Sequence, residues 1–152
     1  MVRTLVCTLL LAAAPAAVAN YQLALDEGSF AEQRSEIEKG LADGKTYAEI
    51  SQADRAKVRE SLERISGRLE GVESVDSLSE PAKVAVFNDQ ELINTILTQA
   101  EADSRMVCTR TARTGSHRKT NECQTVAERR RRQELDQENL QKMQKGRMPL
   151  SN

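Results

Sequence analysis

The chain has 152 residues, 30% of them charged, with a formal net charge of −1, two Phe, two Tyr and no Trp. That length holds one small domain or a set of helices, not two large domains, and the core must be aliphatic. The near-zero total hides an asymmetry: residues 20–103 carry nine Lys and Arg against eighteen Asp and Glu, a net of −9, whereas residues 104–152 carry twelve against five, a net of +7. Such a split suggests an interaction tail, or two parts that attract each other.

Met1-Val2-Arg3, an apolar run over residues 5–14 and Ala17-Val18-Ala19 read as the basic region, apolar region and small-residue cleavage site of a bacterial-type signal peptide over residues 1–19. Cleavage is expected between Ala19 and Asn20. The apolar run is too short to span a bilayer, and Cys7 is too early to become a lipidated N-terminus. The mature chain is expected to have no transmembrane segment and to work in the periplasm or as a secreted protein.

After a disordered stretch over residues 20–28, an acidic helical domain is expected over 29–103. Ser29 and Glu32 form a capping box, in which the hydroxyl accepts from the third helical N–H and the carboxylate reaches back. The helix should end at Asp43-Gly44. Ser51 to Asp54 resembles a second cap. Val58, Leu62, Ile65 and Leu69 then make one stripe at spacings of four, three and four, up to Gly71. Residues 72–78 read as a linker. A short helix should open at Ser79-Glu80-Pro81. Another should open at Asn88, with Glu91 as its box partner and Phe87 packed on Leu92 as a staple. Leu92, Ile93, Ile96, Leu97 and Ala100 form the most apolar stripe of the chain.

Residues 104–124 read as a hairpin. Cys108 and Cys123, the pair left after the signal is removed, are expected to form a disulfide in an oxidising compartment. The Thr-rich segment between them should turn near Gly115. Their spacing is wider than the Cys-x-x-Cys of catalytic dithiols, which favours a structural bridge over a redox pair. Thr125 and Glu128 form a further capping box, opening a basic helix over 125–146. Its large apolar residues, Val126, Leu135, Leu140 and Met143, make no wide stripe, so it must be stabilised by side-chain pairs or by docking, or else fray. Residues 147–152 read as a disordered tail. The fold class expected is mainly α: a small helical bundle, a disulfide-stapled hairpin-like loop and a polar basic C-terminal helix.

Asp43-Gly44-Lys45-Thr46-Tyr47, Val86-Phe87-Asn88-Asp89-Gln90-Glu91, and the segment from Ser104 through Thr114-Gly115-Ser116-His117-Arg118 to Cys123 resemble a family of small exported proteobacterial proteins of unknown function. The resemblance covers roughly residues 43–133. It implies export and a disulfide and brings no mechanism.

Catalytic constellations are missing. His117 is the sole histidine and sits between Ser116 and Arg118 in a basic loop, too few ligands for a metal. Ser116 beside His117 is sequence adjacency, not a triad, and neither a nucleophile elbow nor a phosphate-cradling glycine loop is present. The protein reads as a non-enzyme with no cofactor. Its strongest interaction feature is the run Arg129-Arg130-Arg131-Arg132, with Arg110, Arg113, Arg118 and Lys119 nearby. Four consecutive positions spread around a helix, so two of these arginines can face a partner while two face water. One reading is a polyanion contact. The other, favoured on spacing, is a solvated helix whose arginines pair with Glu128, Glu134 and Asp136 three and four residues away.

The expected function is therefore that of a non-catalytic cell-envelope protein. Its partner is unidentified: an anionic envelope surface or a periplasmic protein. The alternative is a self-associating structural protein in which the acidic half of one chain takes the basic helix of another, or of its own chain. Nucleic acid is not expected, because export removes it and stacking aromatics are absent from the basic segment.

Overall fold

The computed structural model describes residues 22–72, 74–112, 114–115 and 117–145. The signal segment, its cleavage point at Ala19 and Asn20, Arg113, Ser116 and residues 146–152 lie outside the described residues. Three helices, α1 (Phe30–Ala42), α2 (Gln52–Leu69) and α3 (Glu80–Ser104), precede an antiparallel hairpin of β1 (Met106–Ala112) and β2 (Lys119–Thr125), and α4 (Val126–Lys145) closes the chain. The fold is mainly helical, with the stapled hairpin and the C-terminal helix in the expected order.

The core forms where the apolar stripes meet. Val58, Leu62 and Ile65 of α2 are fully buried against Val86, Ile93 and Leu97 of α3, with Ile37 and Leu41 of α1 and Tyr47 of the α1–α2 loop completing the cluster. Tyr47 lies so close over α1 that a Cβ on Gly40 would stand 2.9 Å from its ring, so glycine is what lets the ring in. Asp43 caps the end of α1, and Gly44, at φ +65°, makes the left-handed turn expected there. Ser51 caps α2 as expected, its hydroxyl accepting the Asp54 N–H at 3.0 Å.

Three expectations need correcting. Within the stretch expected to be disordered, residues 22–28 are held to the body. Leu23 is buried in the core, and the Asn94 side chain accepts its N–H at 2.8 Å and donates to its carbonyl at 2.9 Å. Gln33 binds the Ala24 backbone in the same two-way fashion. Two side-chain amides thus replace the ladder that an irregular segment lacks, and no periodicity in the sequence announces them.

Ser29 occupies the N-cap position of α1, but its side chain makes no capping bond.

The third correction concerns α3, which is one continuous helix of 25 residues where two were expected. Val86, Asp89, Ile93, Leu97, Ala100 and Ser104 keep one buried face through the supposed break, and Asn88 sits mid-helix, where backbone carbonyls already satisfy the N–H groups it would cap. Phe87 makes no buried staple; it is 58% exposed. The inward residue is Asp89, whose carboxylate accepts from Arg64 Nε at 3.0 Å while Arg64 Nη2 donates to the buried Ser61 hydroxyl at 2.8 Å. This ion pair bolts α3 to α2.

Candidate interaction surface

β1 and β2 pair residue for residue, with Met106 opposite Thr125, Cys108 opposite Cys123 and Ala112 opposite Lys119. The two cysteines are disulfide-bonded across the ladder, their Cα atoms 4.0 Å apart. Directly opposed positions of an antiparallel pair come this close where no backbone hydrogen bond joins them. Gly115, at φ +81°, lies in the turn as the sequence implied. Alternation places Arg110 and Lys119 on the disulfide face, and Thr109, Thr111, Thr120 and Glu122 on the other. Away from its base the hairpin is solvated on both faces, and Arg110, His117, Arg118 and Lys119 are exposed.

α4 starts on a complete capping box. The Glu128 N–H donates to Thr125 Oγ1 at 3.0 Å, and the Thr125 N–H donates to the Glu128 carboxylate at 2.9 Å. The Val126 N–H continues the strand ladder to the Arg105 carbonyl at 3.0 Å, so strand and helix join without a loop. Beyond this junction the helix buries only Ala127, 2% exposed. Leu135, Leu140 and Met143 all stand in solvent.

What holds the first turns of α4 to the body is polar. Arg131 reaches Glu49 at 2.8 Å, and Arg130 makes a two-pronged contact with Asp103 at 3.0 and 3.1 Å. Glu49 also accepts the Thr125 hydroxyl at 2.6 Å, and its own N–H donates to the buried Ser104 hydroxyl at 2.9 Å. Arg131, and after it Thr125, hold the Glu49 carboxyl below its ordinary range; Arg130, and after it Gln99, do the same for Asp103. Both carboxylates are partly shielded while their arginines remain half exposed.

The pairing of arginines with Glu128, Glu134 and Asp136 along the helix is not what is found: the partners of Arg130 and Arg131 lie in the acidic half of the chain. The reason is helical phase. Ala127, Arg130, Arg131 and Glu134 share the face turned to the body, while Arg129, Arg132, Asp136, Leu140 and Met143, at spacings of three and four, share the opposite one. Arg129 and Arg132 are exposed and make no ion pair among the described residues. Sequence reading missed Glu49, Asp103 and Ser104. The only signal for Glu49 and Asp103 was the acidic surplus of residues 20–103, which singles out no residue, and Ser104 had none.

Two open clefts flank the segment at Leu25 and Gly28, with volumes of about 640 and 590 Å³. The first lies between the start of α1 and the end of α2, the second between the segment at Val75 and the first turns of α3, and both are remote in sequence from the basic part. Among the described residues no helix is long and apolar enough to cross a membrane. No family model, curated protein or solved structure matches the chain.

Proposed function

We propose that this is an exported, non-catalytic protein of the cell envelope whose hairpin and α4 contact an anionic surface. The observation that carries the reading is the division of the arginine run. The body occupies Arg130 and Arg131, while Arg129 and Arg132 stay exposed on the far face of a helix whose apolar side chains are largely unburied. Arg110 and Lys119 extend the exposed positive charge along one face of the hairpin. Export is supported by the signal-like residues 1–19 and by the disulfide, a bond that persists in oxidising compartments. Each cation near an anionic bilayer is worth about 1 kcal/mol, so binding should be weak and salt-sensitive.

The test is co-sedimentation of the oxidised chain beginning at Asn20 with anionic and with neutral vesicles, at low and high salt, beside Arg129→Gln/Arg132→Gln. Binding that needs anionic lipid, falls with salt and weakens in the variant supports the reading. Equal sedimentation with both vesicle types, or with neither, refutes it.

Self-association is the second reading. Its contact between acidic half and basic helix is already made within one chain, which favours the folded-back form over an oligomer. A mass by light scattering that stays monomeric at all concentrations and salts excludes the oligomer.

A further inference from the structure

The clasp that docks α4 covers two of the four arginines with carboxylates of the same chain. Arg130 and Arg131 are paired with Asp103 and Glu49, and those carboxylates bring negative charge to the root of the basic helix. We infer that the clasp is autoinhibitory: Glu49 and Asp103 withhold Arg130 and Arg131 from an anionic surface until that surface displaces them. The inference rests on the proposed anionic contact and deepens it, since it concerns how the same helix is regulated.

Three features support it. The docking interface buries almost nothing apolar, Ala127 being the one fully buried side chain of α4, so opening it exposes little hydrophobic surface. Both guanidinium groups are already half in solvent, at 52% and 55% side-chain exposure, so a competing phosphate can approach them without the body unfolding. A guanidinium binds phosphate with the same two-pronged geometry it uses on Asp103. For Arg130, release therefore exchanges one bidentate acceptor for another, and for both arginines it frees the guanidinium for an anionic group. The capping box is local to residues 125–128, so α4 stays helical as it swings.

The experiment compares vesicle binding of three oxidised chains beginning at Asn20: the unaltered chain, Glu49→Gln/Asp103→Asn, and Glu32→Gln/Glu91→Gln. The last removes the same charge from exposed sites outside the clasp. Vesicles of phosphatidylglycerol and phosphatidylcholine serve as the anionic surface, with titrated inorganic phosphate as a separate arm. Circular dichroism confirms folding, and Asp103→Asn alone serves if the double variant does not fold. The clasp variant is expected to bind the vesicles on the order of 25-fold more tightly, at about fivefold for each of the two arginines released. The control should stay within twofold of the unaltered chain. Phosphate should reproduce the release only weakly, because it lacks a surface's multiple contacts. Equal tightening in clasp variant and control, or none in either, overturns the inference and leaves the anionic contact standing. If no chain binds, the clasp variant included, both readings fall. Binding by the clasp variant alone would show a clasp that the surface does not open, and overturns the inference.

Discussion

The Thr125 hydroxyl donates to the Glu49 carboxylate at 2.6 Å and, through the same oxygen, accepts the Glu128 N–H at 3.0 Å. One side chain thus starts α4 and ties its first turn to a loop 76 residues earlier in the chain. Replacing Thr125 by Val keeps the shape and removes both bonds. We expect a loss of about 2–4 kcal/mol, the sum of a cap and a charge-assisted hydrogen bond. Thr125→Ser should recover most of it. Urea unfolding of both variants checks this, and an unperturbed Val variant would show that the box is dispensable.

The clasp should respond to acid and not to mild alkali. Glu49 and Asp103 are both held below their ordinary range, chiefly by Arg131 and Arg130. Groups with depressed folded values contribute stability that is complete above their unfolded range and is lost as pH falls through the folded values. Docking should be intact at neutral pH and weaken only below about pH 4. NMR shifts of the Ala127 methyl group report it. A chemical shift that stays flat from pH 7 to pH 2 would contradict the prediction.

Asp89 should matter more than its neighbours. It is 8% exposed and joins α3 to Arg64 of α2. Losing a partner of a fully buried pair costs about 3–5 kcal/mol, but the Arg64 side chain is 39% exposed, so Asp89→Ala is expected to cost about 1–2 kcal/mol. Phe87→Ala, on the solvent side of the same turn, should stay within about 0.5 kcal/mol. Denaturant midpoints of the two variants give the comparison, and a larger loss from the Phe87 change would reverse the assignment.

Reduction should melt the hairpin and spare the bundle. A two-stranded sheet is marginal by itself, and a bridge closing a loop of this size contributes about 3 kcal/mol in the chain-entropy model. After Cys108→Ser/Cys123→Ser, amide protection in β1 and β2 should collapse, while the helical signal of the bundle and its melting temperature hardly move. An equal fall in bundle stability would mean that the hairpin is integral to the core.

The local features were legible because their partners are near in sequence. Val58, Leu62 and Ile65 announce a buried face by spacing alone, and Ser51 with Asp54 and Thr125 with Glu128 announce their caps. The same grammar misled at Asn88, where a cap-like tetrad lies inside a helix whose buried face never breaks. It read residues 22–28 as disordered, where the side chains of Asn94 and Gln33 hold the backbone.

Composition and spacing by themselves determined the helical class, the stapled hairpin and the division into an acidic and a basic part. Only the tertiary structure decided which arginines are spoken for. Arg130 and Arg131 find Asp103 and Glu49 across 27 and 82 residues. Nearby carboxylates such as Glu128 and Glu134 offer pairs of similarly small energy, so nothing local selects among them. The choice is made by the phase of α4 once Thr125 and Ala127 have anchored its first turn against the body.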